Sequence, residues 1–193
     1  MNSKNPKHLR KMVNYIEVDA LWMKLAKEVN YQFCDQGFVS CEHHEEDCIM
    51  LILKDVIGAI EEEDPMKTIR IPQGIEDMET DAFLDAFENS IKDTFDEGLA
   101  KIGMRMLDLL VVHGKHCRDY IGGFVYLDHP GDTLRVMYSI MRDLTSDARL
   151  SLKLRHGMQT LLGLAHHRGV DLYKLIQLKL RYNMCRPPLN RRR

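Results

Sequence analysis

Between Ser90 and Val112 the chain reads SIKDTFDEGLAKIGMRMLDLLVV, and this stretch constrains the fold more than any other. Ile91, Phe95, Leu99, Ile102, Met106, Leu109 and Leu110 recur three and four residues apart. On a helix they fill one stripe about 100° wide, the pattern of a helix laid against others in a bundle. Gly98, Lys101 and Arg105 run along one edge of that stripe at i, i+3 and i+7. A glycine inside a helix costs up to about 1 kcal/mol relative to alanine. A lysine beside a core stripe must find a partner or reach out to water. Neither residue suits packing alone, so this edge is where function, or its loss, is expected.

The remaining chain agrees with a helical protein. Its 193 residues suit one domain spanning 1–193, long enough to bury a sizeable core. Methionine is plentiful, proline and glycine are sparse, and β-branched runs bounded by turns are absent, which predicts an all-α fold. A formal charge of −2 gives no basis for general binding to nucleic acid or anionic membrane. No stretch approaches the ~18 apolar residues of a membrane span. The start, MNSKNPKHLRK, lacks the apolar segment of a signal peptide. Five cysteines without a CxxC predict reduced thiols in a cytoplasm rather than a disulfide framework.

In chain order, Leu9, Val13, Ile16, Ala20 and Met23 open a first helix expected to reach about Phe33. A second helix begins in the acidic run after Glu42 and extends to about Glu63. It is apolar on most sides, which predicts a place at the centre of the core. Its remaining face carries Asp55, Gly58 and Glu62, again at i, i+3 and i+7. Residues 64–79 form a loop. Thr80 or Asp81 caps a third helix, which begins as early as Ala82 and runs on through Val112. Asp132, then Thr145 or Ser146, cap two further helices, Gly169 stops the second of them, and Asp171 caps a last helix to about Tyr182.

Two helices that present residues at i and i+3 toward each other are how bundles build magnesium sites, with waters and substrate phosphates completing the octahedral shell. At this point the chain resembles the all-α nucleoside triphosphate pyrophosphatases of the MazG-like family. The resemblance is carried by IMLILKDVIGAIEEE at Ile49 to Glu63, DTFDEGLAKIGMRMLDL at Asp93 to Leu109, GVDLYKLIQLKLRYNMCRP at Gly169 to Pro187, and CDQGF at Cys34 to Phe38. These segments cover roughly half the chain in the family's order. The resemblance implies a helical bundle of the MazG-like type, generally a homodimer, that cleaves a nucleoside triphosphate to the monophosphate and pyrophosphate with magnesium. Residues from about 116 to 162 have no counterpart in the motifs and resemble an inserted helical pair.

The departures from the family pattern are specific. The family holds magnesium with ExxE on one helix and ExxD on the next, and the matching positions here are Asp55, Gly58, Gly98 and Lys101. One carboxylate remains and one position is a cation. Two like unit charges ~4 Å apart at an effective dielectric near 20 repel by about 4 kcal/mol, and a divalent ion doubles that. The preferred reading is therefore a degenerate member with no catalytic residue and no resident metal cofactor, with Lys101 reaching across to Asp55 where the ion was. By the same resemblance Lys179, Asn183 and Arg186, at i, i+4 and i+7 on the last helix, lie near a nucleotide. Two cations and an amide suit phosphate oxygens. Arg105 matches a family arginine, as a phosphate contact or as a partner for Asp108 or Glu97.

Two other readings stay open. One is an active magnesium enzyme whose rearranged site uses Asp55, Glu61 or Glu62, and Glu97, with the metal activating water. The other is a structural helical partner protein without a small ligand. His113, His116 and Cys117 have the spacing of a zinc face that His166-His167 would complete, and His43-His44 precedes an acidic run. Nothing in the spacing joins these groups, and each reads first as a polar helix end.

Overall fold

The computed structural model describes residues 6–35, 45–61, 69–112 and 133–186, with 6–19 as backbone only. The described residues form seven α-helices and no strand, so the protein is all-α. The helices are α1 (Pro6–Asp35), α2 (Glu45–Glu61), α3 (Thr80–Ser90), α4 (Phe95–Val112), α5 (Thr133–Leu144), α6 (Leu150–His167) and α7 (Leu172–Cys185). A 3₁₀ turn, Ile75–Asp77, precedes α3. No helix among the described residues is long and apolar enough to cross a membrane.

The axis of the fold is α4, which packs against α1, α2, α6 and α7. From Phe95 to Leu110 it is buried at every position except Lys101, Arg105 and Asp108, which are half-buried. The apolar stripe predicted one buried face, yet burial extends nearly all round. Small residues let the neighbours close in. A Cβ at Gly98 would lie 2.4 Å from the Ala59 Cβ of α2, and one at Gly103 would lie 2.9 Å from Ile176 Cδ1 of α7. Each fully buried Leu, Ile or Phe on this helix contributes roughly 1.5–3 kcal/mol relative to exposure. The second helix, expected at the centre, is instead a wall: α2 turns Ile49, Ile52, Leu53, Val56 and Ala59 inward and leaves Met50 and Ile57 exposed.

The long third helix of the sequence reading is two helices. Phe83, Phe87, Ile91, Phe95 and Leu99 keep a spacing of four straight through the junction, so periodicity does not show the break. The break comes from capping. Asp93 adopts the left-handed conformation at φ 57°, which aspartate tolerates better than most residues. Thr94 Oγ1 accepts the Glu97 N–H at 3.1 Å, and Glu97 Oε2 accepts the Asp93 N–H at 2.7 Å. This exchange resembles a capping box and starts α4 at Phe95.

Thr145 and Ser146 do not cap α6. Thr145 Oγ1 donates back to Met141 O and Arg142 O, and Ser146 Oγ donates to Asp143 O, so both close α5. The α6 N-cap is Arg149, with no side-chain cap. At the other end Gly169, at φ 71°, ends α6 in a Schellman turn, Val170 N–H to Ala165 O and Gly169 N–H to His166 O. Asp171 then caps α7 by accepting the Lys174 N–H at 3.0 Å, as expected. The segment that resembles an inserted pair is described from Thr133 onward as α5 and α6. It is built into the core: α6 packs on α4, and α5 on α2 and α6. Gly122-Gly123, residues 128–131 and the tail from Pro187 lie outside the described residues.

Candidate functional site

A cavity of about 230 Å³ opens where α1, α2, α4 and α7 meet. Its lining is Phe33 from α1, Asp55 from α2, Lys101, Met104 and Arg105 from α4, and Lys179, Asn183 and Arg186 from α7 and its C-cap. Six of these eight were singled out in the sequence. Lys101 and Arg105 stand one turn apart on a half-buried strip of α4. Lys179, Asn183 and Arg186 follow the same face of α7 at i, i+4 and i+7.

Two acids, Asp55 and Glu97, hold three of these cations. Arg105 Nε donates to Asp55 Oδ2 at 3.2 Å. The sequence reading offered Asp108 or Glu97 as the arginine's partner; Asp55 takes the hydrogen bond, and the arginine's charge also bears on Asp108. Lys179 Nζ donates to Glu97 Oε1 at 2.5 Å, and Lys101 Nζ is paired with Glu97 Oε2 at 3.3 Å. Glu97 is 1% exposed. Burial pushes its carboxyl up, but the Lys179 charge and hydrogen bond, the Lys101 charge and the Asp93 N–H outweigh this, and it titrates below the ordinary value. Burial pulls the Lys179 ammonium down, Glu97 opposes that, and the charges of Lys101 and Arg186 pull it further the same way. The pocket is crowded with positive charge.

Three aromatic rings, none of them singled out from the sequence, lie against Arg105, Lys179 and Arg186. The Tyr182 ring lies 4.9 Å from Lys179 Nζ and 5.3 Å from Arg186 Cζ. It stacks on Phe87 at 4.3 Å, and its hydroxyl donates to Glu88. Burial first, then this hydrogen bond, push the Tyr182 pKa up to about 12, so the phenol stays neutral. The Phe33 ring lies 5.2 Å from Arg105 Cζ. Apolar periodicity on α1 and α7 marks Phe33 and Tyr182 as core residues, which they also are. Their second role, as faces for cations, depends on which helices meet here.

The remaining sequence candidates fall elsewhere. Gly98 is buried against Ala59, where the resemblance puts a metal-binding acid. A Cβ at Gly58 would meet nothing within 4 Å. Glu61 is exposed at the end of α2, six residues and about 9 Å of helix rise beyond Asp55. Glu62, His43, His44, His113, His116 and Cys117 lie outside the described residues. His166 and His167 are exposed at the end of α6. Among the described residues no three His, Cys, Asp or Glu side chains stand together as a metal group.

A second ion pair on α4 faces away from this cavity. Asp96 is fully buried, Arg168 Nε donates to its Oδ1 at 2.5 Å, and the Ile69 N–H donates to its Oδ2 at 3.1 Å. The Arg168 guanidinium also lies 4.7 Å from the centre of the Phe95 ring. No family model, curated protein or solved structure matches this chain.

Proposed function

We propose that this chain is a MazG-like helical bundle that no longer carries the magnesium-dependent reaction and that holds a nucleoside phosphate through the cation-lined pocket. The single observation that supports this is the convergence of Asp55, Lys101, Arg105, Lys179, Asn183 and Arg186 on one cavity. These residues come from three separated stretches of sequence. Charge-assisted hydrogen bonds from guanidinium and ammonium groups are the chemistry that phosphate oxygens select. Three features support loss of the reaction. Gly98 has no room for a carboxylate beside Ala59, Glu97 is shared by two lysines, and Asp55 is bonded to Arg105.

The test is a thermal-shift panel of NTPs, dNTPs and NMPs, with and without chelator, run beside a pyrophosphate-release assay. Ligand at 100 times its dissociation constant adds about 2.7 kcal/mol, which raises Tm by several degrees in a domain of this size. A shift without pyrophosphate release supports the reading. Release that depends on magnesium favours the enzyme, and no shift with any nucleotide favours a scaffold. A homodimer belongs to the same proposal, supported by Met50 and Ile57, one apolar strip exposed on α2. Light scattering that gives a monomer mass removes it.

A further inference from the structure

Arg186 is held differently from the other cations that line the cavity. Arg105 is tied to Asp55, and Lys101 and Lys179 to Glu97. Arg186, the exposed C-cap of α7, makes no hydrogen bond or ion pair among the described residues. Its guanidinium lies instead against the Tyr182 ring, 5.3 Å from Cζ to the ring centre. A guanidinium carries five N–H donors in a fixed fork, and contact with a ring face uses none of them. Tyr182 is itself fixed. It is fully buried, stacks on Phe87 at 4.3 Å with 16° between the planes, and donates its hydroxyl to Glu88 Oε1 at 2.7 Å. A hydroxyl that donates to a carboxylate makes its ring richer in electrons and a better face for a cation. Phe87 and Glu88 belong to α3, which gives no residue to the cavity lining.

Taking as given that the cavity binds phosphate, we infer that Arg186 meets the phosphate with donors that the protein leaves unused, and that Tyr182 is its positioning residue, through which α3 bears on a site it does not line. The ring fixes where the charge sits without occupying an N–H, which a carboxylate partner would do. Lys179 Nζ also lies 4.9 Å from the ring, but Glu97 holds that lysine independently. The effect of the ring therefore falls on Arg186.

The test is calorimetric titration of the full chain with inorganic triphosphate, and with ATP in parallel, for ring variants at position 182 with and without Arg186→Ala. Arg186→Ala is expected to weaken both ligands about tenfold, the scale of a charge-assisted hydrogen bond. Tyr182→Phe keeps the ring and is expected to bind within about threefold of the parent. Glu88 is exposed, so loss of the phenol hydroxyl leaves its carboxylate in water and the fold intact. A trifluorinated phenylalanine at the same position keeps the ring's shape but not its negative face. It is expected to bind about two- to fivefold more weakly than Tyr182→Phe, and this difference is expected to vanish in the Arg186→Ala chain. A role in packing alone would give the same difference in both chains. A fluorinated ring that binds as tightly as the plain one, a difference that persists without Arg186, or an Arg186→Ala chain that binds like the parent overturns this inference and leaves the phosphate reading standing. Failure of triphosphate and ATP alike to bind the parent chain overturns both.

Discussion

Asp96 and Glu97 are neighbours on the first turn of α4, both buried, both hydrogen-bonded to a cation from a distant helix or turn. They do different work. Asp96 meets the Arg168 guanidinium and the Ile69 N–H, and the arginine side chain is itself only 6% exposed. That cluster is closed, and it ties the stretch before α3 and the α6–α7 turn to the start of α4. Glu97, one residue or about 100° further round the helix, meets two lysines at the rear of a cavity that holds two more cations. The first cluster is sealed from solvent. The second stands behind a cavity lined by four cations that opens outward. An ion pair therefore tells little about function by itself; its access to solvent carries the information.

Substitutions can break this comparison. The largest effect is expected at Asp96→Ala, which leaves a buried guanidinium without its carboxylate and costs about 3–5 kcal/mol. Tm should then fall by more than about 6 °C. A melt within 2 °C of the parent would show that the sealed cluster is not a structural tie. Gly98→Ala is expected to be intermediate. Alanine recovers up to about 1 kcal/mol of helix propensity, but its Cβ meets the Ala59 Cβ at 2.4 Å and the Ala59 backbone at 3.0 Å. A net loss of about 1–3 kcal/mol follows from overpacking, and Ala59→Gly in the same chain should recover part of it. A stabilised Gly98→Ala protein would mean that α2 and α4 are not held this close. The smallest effect belongs to Asp55→Asn. Its pair with Arg105 has both side chains about a fifth exposed, and the change should alter stability by less than about 1 kcal/mol. A loss as large as that at Asp96 would make Asp55 a structural residue and erase the contrast between the two clusters.

Much of the candidate site was legible in one dimension. Lys101 and Arg105, and likewise Lys179, Asn183 and Arg186, share a helix face by spacing alone, and a cation beside an apolar stripe asks for a partner. Which partner it finds was not legible. Arg105 takes Asp55, fifty residues away, and Lys179 takes Glu97, from a different helix. The break between α3 and α4 was missed for a related reason. The apolar spacing of four from Phe83 to Leu99 serves two helices in succession as well as one, while the signal that separates them is the Thr94-to-Glu97 cap. Thr145 and Ser146 failed as caps because a hydroxyl after a helix can reach back to its last carbonyls as easily as forward to new amides.

Residue order by itself determined that the chain is helical, where Gly169 and Asp171 end one helix and start the next, and that the edge of α4 is unlike its other faces. Those properties follow from backbone preference and from a period of 3.6, both local. Only the tertiary structure decided that α4 and not α2 is the central helix, that Gly98 is packed against Ala59, and that four cations share one cavity while Asp96 is sealed away. These depend on how closely helices distant in sequence approach. A few ångströms at a contact decide whether a position holds a side chain, an ion pair or nothing, and no local pattern encodes that distance.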